Sequence, residues 1–241
     1  PLAGSAFPTP SLTGRFGVVD EPQTYDPQRG ECRDGKETAK IPQFSAPDRS
    51  MFTIELCAGS AELSAALRRV GAETIAVDHQ FNKQKMKVAG LSLDLATDEG
   101  WALLWRLLQE GRVAYVHGAA PCGTATRARD KPVPVRLRKR GAPDPLPLRS
   151  ETYPNGLPDL HGVAKEKVEK ANRIYKRMAD FLDACLLQNV AFSVENPTRS
   201  YMWLTDSFKW LIAREGVQSV TFQQCMHGGK RPKWSTWVTN I

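Results

Sequence analysis

MFTIELCAGSAELSAALRRVGAETIAVDH, residues 51–79, changes its hydrophobic period twice within 29 residues. MFTIELCAG (51–59) is an apolar run that enters a turn and reads as a buried strand. SAELSAALRRVGA (60–72) sets Leu63, Ala66 and Leu67 on one helical face and closes at Gly71. TIAVDH (74–79) is a second apolar strand. Strand, helix and strand in succession form a crossover unit whose two strands lie parallel in one sheet.

The pattern continues toward the C-terminus. LSLDL (91–95) is a short third strand, DEGWALLWRLLQEG (98–111) a helix with acids in its first turn, and VAYV (113–116) a fourth strand. VAKEKVEKANRIYKRMADFLDACLLQN (163–189) carries Ala171, Ile174, Met178, Phe181, Leu182 and Cys185 at spacings of three and four, the stripe of an amphipathic helix. VAFSVEN (190–196) is a fifth strand, and YMWLTDSFKWLIAREG (201–216) is largely helical. VQSVTFQQC (217–225) and WSTWVTN (234–240) are two final strands with no helix between them, so one of them runs antiparallel. The expected fold is α/β, with a mostly parallel sheet and one antiparallel strand near the C-terminus.

Composition sets the remaining bounds. The 241 residues suffice for one large domain with a tail. Residues 1–50 hold seven Pro and five Gly without apolar period, and read as a disordered or loosely attached leader to a domain over 51–241. The chain starts at Pro1, so a fragment or a processed form is expected. Cys32, Cys57, Cys122, Cys185 and Cys225 are scattered and odd in number, and His79, His117, His161 and His227 are dispersed. That pattern is neither a disulfide framework nor a metal site, and it suits a nuclear or other intracellular compartment. No apolar run reaches membrane-spanning length, so no membrane partner is expected.

Charge is concentrated. Residues 127–141, RARDKPVPVRLRKRG, hold seven Lys or Arg and one Asp, a surplus of six in a chain whose net charge is +7. Such a block attracts polyanions, and Arg127, Arg129, Arg136, Arg138, Lys139 and Arg140 become candidate nucleic-acid contacts. The surrounding Pro- and Arg-rich segment, about 120–161, is long for a connection and reads as a functional insertion.

In open α/β sheets, ligands bind at the carboxyl ends of the strands. Glu55, Asp78 and Asp94 close the first three strands. Asp78 lies nineteen residues after Gly59, a distance that suits an acid accepting both ribose hydroxyls of an adenosine. With a single true glycine in ELCAGSAE, the set fits an adenosine ligand without a pyrophosphate, and so S-adenosylmethionine. The candidate cofactor residues are Glu55, Cys57, Ala58, Gly59, Ser60, Ala61, Asp78, His79, Asp94, Leu95 and Pro121.

The fourth strand leads into Pro121–Cys122 and the fifth ends in Glu195–Asn196–Pro197. With ELCAGSAE (55–62), PCGTAT (121–126) and ENP (195–197) in this order, the chain resembles the cytosine-C5 methyltransferases over about residues 51–241. FQQCMHGGKRPKWSTWVTN (222–240) is similar to that family's basic motif before the last strand, with Arg231 and Lys233 as further nucleic-acid candidates. PLRSETYPNGLPDLHG and ANRIY are similar to segments of divergent, retroelement-borne members found in protists.

The resemblance implies a Rossmann-like class I methyltransferase sheet, DNA methylation at cytosine C5, and base flipping to bring the target into the site. It implies Cys122 as the nucleophile and Glu195 as the acid that holds the base. It also implies a target-recognition region after the last strand, expected to be absent from a chain ending at Ile241. Two other outcomes are carried forward: an RNA cytosine-C5 methyltransferase of the tRNA-modifying branch, and a catalytically decayed nucleic-acid-binding domain. Trp203, Trp210, Trp234 and Trp237 read as packing residues, and His117 and His227 as structural.

Overall fold

The computed structural model describes residues 51–230 and 232–241. The expected leader 1–50, Cys32 within it, and Arg231 lie outside the described residues. The strands are β1 (Phe52–Leu56), β2 (Glu73–Asp78), β3 (Gly90–Ser92), β4 (Val113–Gly118), β5 (Ala191–Pro197), β6 (Gln218–Gln223) and β7 (Trp234–Thr239). The helices are α1 (Glu62–Arg69), α2 (Asp98–Gln109), α3 (Val135–Arg138), α4 (Gly162–Leu187) and α5 (Asp206–Ile212).

All seven strands join one sheet in the order β3-β2-β1-β4-β5-β7-β6. β1 pairs parallel with β2 and β4, β2 with β3, and β4 with β5. β7 runs antiparallel to both β5 and β6. This is the Rossmann-like methyltransferase order, with its one reversed strand near the C-terminus. The chain moves outward from β1 to β3, then returns to place β4 on the other side of β1, so the switch point lies between β1 and β4.

Residues of alternate parity divide the sheet chemically. Ile54, Leu56, Val77, Val116, Phe192, Val194 and Val238 form one face and pack under α2, α4 and α5 through Trp101, Leu104, Met178, Phe181, Leu182 and Phe208. At Gly118 an added Cβ would sit 2.8 Å from the Met178 sulfur, so α4 lies directly on β4 there. The opposite parity carries Glu55, His117, Ser193 and Glu195.

Three elements differ from expectation. α1 buries Ser64 and Ala65, whereas Leu63, Ala66 and Leu67 are half-buried. Its partner surface is the small cluster Ala58, Ala61 and Ala76, so the close-packed face is the one with the smallest side chains. The helix expected over 201–216 is a 3-10 turn (Tyr201–Leu204) followed by α5, because Thr205 is extended at ψ 149° and ends the first segment. The insertion after β4 is not uniformly irregular: it contains a 3-10 turn (Arg127–Asp130) and α3.

Candidate active site

The turn after β1 is built under strain. Cys57, Gly59 and Ala61 all have left-handed φ, 56°, 55° and 55°. Two of these are not glycine, and each costs about 1–2 kcal/mol in that region. Local bonds hold the turn. The Asp78 carboxylate accepts from the Gly59 N–H (2.7 Å) and from the His79 N–H (2.7 Å). Asn82 donates to the Gly59 carbonyl (2.7 Å), and the Ser60 carbonyl accepts from the Lys87 N–H (2.9 Å). Backbone strain of this kind concentrates at ligand sites.

Glu55 is buried and accepts from the Ser64 N–H at the start of α1 (2.7 Å). A carboxylate therefore occupies the helix end that would otherwise attract a phosphate.

Above this turn lies a cavity of about 630 Å³, at the carboxyl ends of β1, β2 and β4. Cys57, Asp78, His79, Asp94, Leu95 and Pro121 line it. The volume is in the range of small-molecule and cofactor sites. Of the other candidates, Glu55, Ala58, Gly59, Ser60 and Ala61 form the supporting turn and do not line the cavity. Asp78 keeps 10% of its side chain exposed, and each of its oxygens has a lone pair beyond the backbone bond it accepts. Asp94 accepts from Lys170 Nζ (2.9 Å), and this bond holds its carboxyl below the ordinary value. Burial pushes the Cys57 thiol up to about 12, with the Asp78 charge adding to the effect, so Cys57 is an inert wall residue.

The roof comes from α4, where Lys167, Lys170, Ala171 and Ile174 face the cavity at intervals of three, one and three. Ala171 and Ile174, on the amphipathic stripe read from the sequence, join the core cluster and line the cavity as well. The helical period that marks a buried stripe is the same whether the stripe covers a core or a ligand cavity. Thr124 and Gly123 complete the wall beside Pro121.

Cys122 is half-buried between two cavity-lining residues. Its carbonyl accepts from the Ala125 N–H (3.0 Å) and the Thr126 N–H (2.9 Å), so the cysteine opens a tight turn. β4 and β5 are adjacent, with Gly118 opposite Val194, and the P-C turn follows β4 while Glu195 lies at the end of β5; neither Cys122 nor Glu195 is among the residues that line the cavity. Asn196 ties the two strand ends by donating to the Ala120 carbonyl (2.8 Å). Glu195 retains 19% side-chain exposure, and its Oε1 accepts from Ser235 Oγ (2.5 Å) and Lys233 Nζ (3.4 Å). Behind it, His117 is buried against Ser193 (2.7 Å) and the Trp237 ring (5.4 Å), as a structural histidine would be.

The basic block divides into two groups. Arg127 donates to Glu151 (2.7 Å) and to the Arg199 carbonyl (3.1 Å), and stacks on the Tyr201 ring (4.3 Å). Arg129 donates to the carbonyls of Gly123 (2.7 Å) and Leu146 (2.8 Å). Arg138 pairs with Asp144 (3.2 Å). Arg136, Lys139 and Arg140 are exposed and make no side-chain bond among the described residues. Lys233 faces Glu195, apart from this block. Trp203 packs edge-on against Phe208, while Trp210, Trp234 and Trp237 are substantially exposed.

No family model matches the chain, and no curated protein matches it.

Proposed function

We propose that this protein is an S-adenosylmethionine-dependent methyltransferase acting on C5 of cytosine in DNA. The observation that supports this reading is a nucleoside-sized cavity at the switch point whose wall includes Pro121 and Gly123, the neighbours of Cys122, with Glu195 on the adjacent strand β5. The cavity's chemistry supports the cofactor class. Asp78 and Asp94 stand where ribose hydroxyls and an adenine amine need acceptors, and Glu55 closes the phosphate-binding option.

Cytosine C5 is a poor nucleophile, and the residues address that defect. The Cys122 thiol gives its proton to solvent and the sulfur forms a bond to C6, shifting the C5–C6 electron pair onto C5. The Glu195 carboxyl group accepts from the exocyclic amine and stands at N3, where it supports the proton that takes up charge building on the ring. When bound, the cofactor supplies a sulfonium-activated methyl group. Held by Asp78 and Asp94, it would give that methyl group to C5, the bonding pair leaving with the cofactor sulfur. Loss of the C5 proton to solvent and expulsion of the Cys122 thiolate restore the aromatic ring. The target base must leave its stack to reach Cys122, and the cations of α3 are suited to the flanking phosphates.

The test is incubation with labelled cofactor and DNA containing 5-fluorocytosine, in which loss of the C5 substituent is blocked and a covalent adduct accumulates. Wild type is expected to give an adduct that C122S abolishes. E195Q is expected to slow it about 100-fold. Both variants should still bind cofactor by calorimetry. Methyl transfer to tRNA in preference to duplex DNA would move the substrate to RNA. Salt-dependent DNA binding with neither cofactor binding nor adduct would mark a decayed domain and overturn the catalytic reading.

A further inference from the structure

We propose that Arg149 is the positioning residue of Cys122, and that the long insertion after β4 exists to return this guanidinium beneath the P-C turn. The inference rests on Cys122 being the reacting thiol. Arg149 lies in the irregular stretch between α3 and α4, yet it is 2% exposed. An arginine in such a segment is ordinarily solvated. Burying its charge costs several kcal/mol unless its donors are satisfied.

Its two terminal nitrogens are satisfied in a directed way, while the buried Nε has no partner among the described residues. Nη1 donates to the Pro154 carbonyl (2.6 Å) and to Asn172 Oδ1 on α4 (2.7 Å). Nη2 donates to Thr124 Oγ1 (2.9 Å), two residues after Cys122, and to the Val168 carbonyl (3.4 Å). The guanidinium lies over the Tyr175 ring (5.4 Å), and the Tyr175 hydroxyl donates to the Pro121 carbonyl (2.6 Å). The residue before Cys122 and the residue two after it are therefore both held, one through Tyr175 and the other by Arg149. No carboxylate pairs with Arg149 among the described residues. Every bond it makes is to a neutral oxygen whose position it fixes, and one of those oxygens belongs to the turn that carries the thiol.

Arg129 at the Gly123 carbonyl (2.7 Å) and the Tyr201 N–H at the Ala125 carbonyl (2.9 Å) also brace the backbone of the P-C turn, whereas Arg149 holds a side chain of it. The turn's internal bonds are the two that the Cys122 carbonyl accepts. Without an outside hold the thiol would sample several positions at the cavity rim, and a displacement of about 1 Å can cost about 100-fold in a reaction that needs aligned attack.

Thr124→Val removes the Arg149 contact with little change in volume, and avoids the folding risk of Arg149→Met. Two readouts are taken on each variant. The first is adduct formation with 5-fluorocytosine DNA at saturating cofactor and DNA, expected to slow about 10- to 100-fold. The second is the rate of iodoacetamide modification of Cys122, followed by peptide mass spectrometry, expected to rise about tenfold as the turn loosens. Arg149→Lys should recover part of the loss, and adding Thr124→Val to Arg149→Met should change nothing further, because both remove the same contact. Unchanged adduct formation and unchanged alkylation in Thr124→Val would overturn the inference. If wild type forms no adduct while Thr124→Val still accelerates alkylation, the clamp stands and the methyl-transfer reading falls.

Discussion

His117 shows how one side chain ties stability to pH in this fold. Burial lowers its pKa from 6.5 to about 4, against an opposing pull from the Glu195 charge. Between those two values the unfolded chain binds a proton that the folded chain does not. Lowering the pH through that window therefore favours unfolding, and the loss approaches about 3 kcal/mol. Urea titrations from pH 7.5 to pH 4 should show a falling midpoint, and H117N, which keeps a polar atom near Ser193, should flatten the profile. A midpoint in wild type that does not move with pH would refute the neutral, buried state of His117. At this scale the sequence was informative where chemistry and strand ends coincide. Asp78 and Asp94, picked out at the ends of apolar runs, line the cavity, whereas Cys122 and Glu195 are not among its lining. Arg149 could not be picked out. Nothing local in PLRSET distinguishes a buried guanidinium from a solvated one, since its burial comes from α4, more than fifteen residues away.

At the scale of elements, the basic insertion separates cations that brace from cations that are available. Replacing Arg136 of α3 and Lys139 and Arg140 just after it with Ala should lower the slope of log affinity against log salt for duplex DNA by up to about 3, with no change in melting temperature. Replacing Arg127 and Arg129 should do the reverse, lowering the melting temperature and leaving the slope nearly intact; equal salt effects from the two sets would contradict the division. The six like charges of the sequence give no hint of it, because Glu151, Tyr201 and the carbonyls they meet arrive from other segments. α2 offers a second case. Gly100 occupies the first turn of that helix, where Ala would ordinarily gain about 1 kcal/mol. Here an added Cβ would lie 2.1 Å from the Asp94 carbonyl oxygen. G100A should therefore destabilise by about 1–3 kcal/mol in chemical denaturation and disturb the Asp94 turn at the cavity. Stabilisation by G100A would refute this close approach.

Over the whole molecule, the apolar face of the sheet and the helices above it form one core, in which Phe181 lies between the rings of Trp101 (5.3 Å) and Trp105 (5.0 Å). Truncation of Phe181 to Ala should cost about 3–5 kcal/mol, measured by chemical denaturation, and empty the joint between α2 and α4. This architecture was legible. Period-two and period-3.6 patterning are local, and crossover units of one hand leave few ways to assemble them. The sequence by itself determined the α/β class, the order of elements, the reversal near the C-terminus and the strand ends at which chemistry collects, because each depends on spacing between near neighbours. Tertiary structure alone decided which residues of the first turn face the cavity and which merely support it, that α4 is its roof, and that Arg149 rather than Arg127 or Arg129 meets the side chain of Thr124 beside Cys122. Those choices depend on burial and on contacts between residues far apart in the chain, which residue type and local spacing do not encode.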